Sequence, residues 1–330
     1  MSQYRETAAP PASDRERARA LGRRLEKLRF WRHAMLEGSD ATAAYNRSEG
    51  DNPLFFFHGD FDAGGAYVRR IANLSRQPIV AISPLGLHGD APPATIEAMA
   101  AIQVGEVLAA RPEGALRVGG YCNGALVAYE VARALRAAGR DVEVVVLFEP
   151  PSLNVRPAYR RVHGMLARVA GLEGKGAVFV GAAMWGVWSL GRALGTSPPE
   201  LYRTLREKIA TKRTPATESA EEAAGERGMR ESHARVLRAY YRASATHVPA
   251  MADFPVVALS TGKDAGGRPS ALYDGVAWQS VCRDFTHHRL PGYHLNEGAD
   301  TVAGYFSDIL SGGILSSGMA AGDGQRAARR

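Results

Sequence analysis

Between Pro53 and Phe148 four short apolar runs alternate with helix-patterned segments, and this rhythm leaves few folds open to the chain. The runs are Pro53–His58 (PLFFFH), Pro78–Ser83 (PIVAIS), Leu116–Tyr121 (LRVGGY) and Asp141–Phe148 (DVEVVVLF). The segments between them carry apolar residues at helical spacing: Tyr67–Leu74, Thr95–Ala110 and Ala125–Ala138, the last with Leu126, Val127, Tyr129, Val131, Ala132 and Leu135 in phase and Gly139 as its stop. Continuous apolar strands separated by helices predict a mostly parallel central sheet with helices on both faces. The rhythm stops at Pro151 and resumes with Phe254–Thr261 and Cys282–Leu290, followed by a last helix over Val302–Leu310. The interruption, residues 151–250, is expected to be a helical lid over the edge of the sheet, with Trp185 or Trp188 lining an apolar pocket.

These limits divide the chain into a core (residues 51–150 and 251–311), the lid, and two ends. Residues 1–50 are expected to be a basic, partly disordered extension with a helix over Ser13–Leu36, and residues 312–330 a disordered tail. The net charge of +7 belongs to those ends: residues 1–36 contribute +5, residues 312–330 contribute +2, and the body sums to zero. A nucleic-acid-binding body is therefore not expected. The longest apolar candidate, Gly176–Gly191, has 16 residues interrupted by glycine, short of the roughly 20 that span a bilayer, so no membrane association is expected. With only Cys122 and Cys282, the chain has neither a disulfide framework nor metal-ligand spacing. No bound metal or cofactor is expected, and a reducing cytoplasm suits the chain.

Gly120-Tyr121-Cys122-Asn123-Gly124 closes the third run and opens the helix after it. Glycines on either side permit the sharp strand-to-helix turn that lifts the central side chain out of the sheet. The helix N-terminus beyond favours an anion there, which for cysteine means a thiolate nucleophile. Such a nucleophile needs a base, and that base needs a carboxylate to orient it. His294, in the Pro291-Gly292-Tyr293-His294 loop after the last strand, is the base this order of elements calls for; His287 and His288 lie inside a strand-like run and are worse placed. Glu149, ending the strand after the nucleophile's helix, and Asp264, ending the next strand, are the two candidate acids, with Glu149 preferred. Oxyanion donors are expected at the Asn123 N–H and in the loop after the first run, at Asp60 or Phe61.

The run from Pro53 to Pro151 resembles the α/β-hydrolase thioesterases of nonribosomal peptide and polyketide synthesis. It does so through PLFFFHG, ATIEAMAA (residues 94–101) and RPEGALRVGGYCNGALVAYEVARALRAAGRDVEVVVLFEPP (residues 111–151), with weaker likeness in PVVALSTGKD and PGYHLNEGAD. The resemblance implies a Cys122–His294–Glu149 triad. It also implies a substrate acyl or aminoacyl group carried as a thioester on the phosphopantetheine of an acyl or peptidyl carrier protein. Serine is usual at position 122, aspartate at 149 and glycine at 125, where this chain has cysteine, glutamate and alanine. A cysteine makes the acyl-enzyme a thioester, nearly isoenergetic with the substrate, so transfer to a second carrier thiol, an amine or a hydroxyl is expected over hydrolysis. No carrier domain accompanies the sequence, which implies a carrier acting in trans; the basic helix Ser13–Leu36, or Arg133, Arg136 and Arg140, would meet its acidic surface. Two alternatives stand beside this reading: a proofreading type II thioesterase that hydrolyses misacylated carriers, and a non-catalytic carrier-binding module. Dienelactone hydrolases share the cysteine elbow but lack the ATIEAMAA segment and a lid of this size.

Overall fold

The computed structural model describes residues 42–48, 50–58, 66–86, 91–169, 234–264, 267–294 and 299–311. The helix expected over Ser13–Leu36, Asp60 and Phe61, Trp185 and Trp188, and the tail 312–330 lie outside the described residues.

Seven strands form one sheet: β1 (Thr42–Tyr45), β2 (Leu54–His58), β3 (Ile79–Ile82), β4 (Leu116–Tyr121), β5 (Val142–Phe148), β6 (Ala252–Ser260) and β7 (Cys282–Arg289). Their order is β1-β3-β2-β4-β5-β6-β7. All neighbours run parallel except β1, which lies antiparallel to β3 along the edge. The helices are α1 (Ala66–Ser75), α2 (Ile96–Ala110), α3 (Asn123–Ala137), α4 (Pro157–Val169), α5 (residues 234–246) and α6 (Ala299–Leu310). The fold is the expected open α/β sheet, mostly parallel, with helices packed on it.

The apolar runs form strands because both of their faces are covered. Every residue of β2 is buried: Phe55 and Phe57 enter one core with Val118, Val145 and the apolar side of α3, while Leu54 and Phe56 enter a second core with Ile71, Val146 and Phe306. Tyr129 of α3 is fully buried against Phe254 and Trp278, and its hydroxyl donates to the carbonyls of Ala250 and Val281 at 2.6 and 3.0 Å, so its polar end is satisfied. Thr95 caps α2, its hydroxyl accepting the Ala98 N–H at 3.2 Å.

Two sequence boundaries move. The extension expected to reach residue 50 gives up Thr42–Tyr45 to the sheet; those four residues (TAAY) lack an apolar run and are held by the Ile79–Ile82 backbone they pair with. β6 starts at Ala252 rather than Phe254, with a register shift between Ala252 and Pro255 where it meets β7. Pro255 is tolerated at that irregularity because it has no N–H to give the ladder.

The register is what positions chemistry. His58 pairs with Tyr121, Tyr121 with Phe148, Phe148 with Leu259, and Leu259 with His288. The residues just past those strand ends therefore emerge side by side along one edge of the sheet. The ladder continues one step beyond the strands: the Cys122 N–H donates to Phe148 O at 2.9 Å, Glu149 N–H to Leu259 O at 2.8 Å, and Leu290 N–H to Ser260 O at 2.9 Å.

Candidate active site

Cys122 stands alone between β4 and α3 with φ 53° and ψ −124°, a left-handed conformation that a non-glycine residue adopts at a cost. The turn closes only because Gly120 has no side chain; a Cβ there would overlap the carbonyl of Gly124. Ala125 N–H donates to Cys122 O at 3.0 Å and starts the helix. The N–H of Asn123 is among the first of α3, which have no acceptor within the helix.

Glu149 takes the matching place one strand over. It is fully buried, with φ 48°. Its Oε1 accepts the Thr261 N–H, and its Oε2 lies 3.3 Å from His294 Nδ1. A carboxylate without solvent contact is tolerable only with such partners. His294 is itself buried, its N–H donating to Lys263 O at 3.3 Å, and the Tyr273 ring stacks on it with centroids 3.9 Å apart. Burial opposes the charged imidazolium, but hydrogen bonds to Cys122 and Glu149, together with their charges, outweigh it and raise His294 to about 10. The ring thus joins cysteine and glutamate in one hydrogen-bonded chain.

Asp264, the other acid singled out by sequence, is occupied elsewhere. Its Oδ1 accepts the Arg268 N–H at 3.1 Å and its Oδ2 lies 3.6 Å from Arg268 Nε, closing a turn. Three other histidines shift the opposite way from His294: burial pushes His58 and His287 down to about 4 and lowers His288 as well. His287 Nε2 lies 2.9 Å from the hydroxyl of buried Ser260, a contact inside the sheet. Asp60 and Phe61 lie outside the described residues, although β2, which leads into them, ends in register with β4.

A pocket opens beside Cys122, walled by Leu126, Leu153, Tyr241, Leu272 and Tyr273. Residues that sequence reasoning did not single out build it. Asn154 Nδ2 donates to the carbonyls of Ser244 and His247 at 2.7 and 2.6 Å, clamping the end of α5 over the pocket. His247 Nδ1 lies 2.8 Å from Glu97 Oε1 at the start of α2. The Ser244 hydroxyl donates to Asn123 Oδ1 at 3.0 Å. These side chains lie in loops and at helix ends, where no periodicity marks them.

Arg133, Arg136 and Arg140, offered by sequence as a carrier-docking surface, lie at the other end of α3. At 1.5 Å per residue Arg136 is about 20 Å along the axis from Cys122. They are also engaged: Arg133 with Glu130 at 2.7 Å, Arg136 with Asp141 and Asp253 at 3.4 and 3.8 Å, and Arg140 with the carbonyls of Arg111 and Gly114.

The second cysteine gives an internal control. Cys282 opens β7, is buried, and burial raises its thiol to about 12 despite a hydrogen bond with Tyr129 that works the other way. At pH 7 to 8 iodoacetamide is expected to alkylate Cys122 while Cys282 stays protonated and unlabelled, as peptide mapping of the native protein will read. Labelling of Cys282 first would reverse the assignment.

A strand, a sharp turn carrying the candidate nucleophile, and a helix, with acid and histidine delivered to the same edge by later strands of a parallel sheet, define an α/β-hydrolase. Residues 52–310 match the thioesterase domain family, and the chain belongs to it. One stretch of 108 residues, 32% of the chain, is 34% identical to the polyketide synthase PksR of Bacillus subtilis (strain 168), and covers 4% of that protein. Another, of 107 residues and 32% of the chain, is 28% identical to the nonribosomal peptide synthetase apvA of Aspergillus terreus (strain NIH 2624 / FGSC A1156), covering 12% of it. The chain thus matches a small part of those proteins. Among solved structures, the type II thioesterase BorB from the borrelidin biosynthetic cluster shares the fold with a TM-score of 0.52 at 19% identity, over 83% of this chain and 97% of that one. No helix among the described residues is long and apolar enough to cross a membrane.

Proposed function

We propose that the protein is a thioesterase-like acyltransferase that takes (amino)acyl groups from the phosphopantetheine thioester of a carrier protein in trans, through an acyl-cysteine on Cys122. The observation that carries the reading is the hydrogen-bonded chain Cys122–His294–Glu149 at the mouth of an apolar pocket.

His294 takes the proton of Cys122, which leaves a thiolate facing the imidazolium. Cys122 Sγ attacks the thioester carbonyl, and the oxygen gathers the negative charge. The Asn123 N–H donates to that oxygen, assisted by the dipole of α3 and by a second donor from the loop carrying Asp60. Collapse breaks the carbon–sulfur bond to pantetheine, and His294 gives its proton to the departing thiolate. Glu149 keeps Nδ1 of the ring hydrogen-bonded throughout, so the other nitrogen stays directed at the sulfur atoms. The acyl-cysteine is then attacked by an acceptor thiol, amine or hydroxyl whose proton His294 accepts. Because the intermediate is itself a thioester, return to a second carrier thiol runs without a large drop in free energy.

Mixing the enzyme with one labelled acyl-carrier and one empty carrier is expected to move label between carriers faster than free acid forms, with a mass adduct on Cys122 during turnover. Free acid as the main product with every carrier and amine tested would replace transfer by proofreading hydrolysis. Binding of carriers with no adduct and no turnover would leave a carrier-binding module.

A further inference from the structure

We infer that the side chain of Asn123, and not only its main-chain N–H, reads the substrate: its carboxamide donates a hydrogen bond to an oxygen on the acyl group close to the thioester. The inference deepens the reading above, since it takes the pocket beside Cys122 as the place where the acyl chain lies.

Asn123 is 2% exposed and lines that pocket next to Cys122. Its two polar atoms are treated differently. Oδ1 accepts the Ser244 hydroxyl at 3.0 Å, and Ser244 is itself held by Asn154 through its carbonyl. Nδ2 is buried and meets no acceptor among the described residues. The Ser244 bond fixes which way the carboxamide faces, and so presents the NH2 with both hydrogens unused. A buried donor with no acceptor destabilises a protein, so one next to a candidate nucleophile is best explained by an acceptor that arrives with the ligand. Leu126, Leu153 and Leu272 in the same wall offer an alkyl chain contact, while Asn154 Nδ2 is taken up by the Ser244 and His247 carbonyls and the Ser244 hydroxyl by Asn123 itself. Asn123 would therefore separate oxygen-bearing acyl groups from plain alkyl ones of the same length. A 2- or 3-hydroxyacyl or a 3-oxoacyl group supplies the acceptor; an unsubstituted chain leaves Nδ2 buried and unsatisfied.

The test uses stable amide analogues of acyl-pantetheine and calorimetric titration of the full chain, so that it reads binding apart from turnover. Butanoyl, 2-hydroxybutanoyl, 3-hydroxybutanoyl, 3-oxobutanoyl and 3-aminobutanoyl forms are compared. At least one oxygenated analogue is expected to bind about tenfold tighter than butanoyl, and the amino analogue no tighter than butanoyl. In Asn123→Leu that ratio should fall to about one, whatever happens to the absolute affinities. Ser244→Ala, which removes the bond orienting the carboxamide, should also shrink it, and serves if Asn123→Leu does not fold. A wild-type ratio within about twofold, a preference for the amino analogue, or a ratio that survives both substitutions would overturn the inference while leaving the acyl pocket intact. Binding of none of the analogues would instead overturn the pocket assignment on which it rests.

Discussion

Cys122→Ala is expected to abolish acyl-enzyme formation and to lower turnover of a carrier thioester on the order of 10⁵-fold, with the melting temperature nearly unchanged. Loss of a nucleophile that works as a unit with its base removes covalent catalysis outright and leaves only binding and oxyanion stabilisation. Alanine retains the Cβ that the turn already accommodates at φ 53°. Cys122→Ser is the more informative partner. A serine hydroxyl is a far weaker nucleophile than a thiol until its proton is removed, and the contacts with Cys122 that help to raise His294 are lost with the sulfur. The serine variant should therefore react slowly and, once acylated, persist as an ester or lose its acyl group to water. Intact-protein mass spectrometry and product analysis read both outcomes; undiminished turnover in Cys122→Ala would remove Cys122 from the reaction.

Glu149→Gln is expected to lower kcat by about 10³- to 10⁴-fold, as removal of an orienting carboxylate does when the imidazole loses its charged partner. The sign of the pH effect follows from the same pair. Glu149 favours the imidazolium, so taking its charge away lets His294 fall from about 10 towards its ordinary 6.5. The step that needs His294 as an acid should fade at lower pH in the variant than in the wild type. Stability should change little, because the amide oxygen can still accept the Thr261 N–H. Asp264→Asn, whose oxygen still accepts from Arg268, should stay within about threefold of wild type. The reverse ranking of the two variants would give the acid's role to Asp264.

The sheet and the elbow were readable because each leaves a local mark. Buried parallel strands must be apolar on both faces, and LFFFH and VVVLF announce that without reference to the rest of the chain. The elbow needs glycine at 120 by backbone contact alone. The choice between Glu149 and Asp264 was harder, since both end strands at the same edge, and only the side-chain partners separate them: the His294 ring for one, Arg268 for the other. β1 left no mark because a four-residue edge strand with two alanines owes its shape to its neighbour. The pocket wall left none either. Ser244, Asn154 and Tyr273 lie far apart in sequence and meet through side-chain bonds and ring stacking, which no local pattern encodes. Charge in the sequence does not show partners either: Arg133, Arg136 and Arg140 are ion-paired or hydrogen-bonded with neighbouring residues.

The rung-by-rung pairing of Tyr121, Phe148, Leu259 and His288 has a consequence for how such a reaction centre can change. Cys122 and Glu149 each hang from the first step beyond a strand end, so their placement is inherited from main-chain geometry, whereas His294 comes from the loop after β7. A slip of one residue in either strand would displace its group by about 3.3 Å and turn it to the opposite side. An exchange of side chain at the same step leaves the scaffold as it was. Sulfur for oxygen at position 122, or one methylene more at position 149, is then a change of reagent mounted on an unaltered bench. New chemistry is reached by point substitution, while insertions are tolerated only between strands.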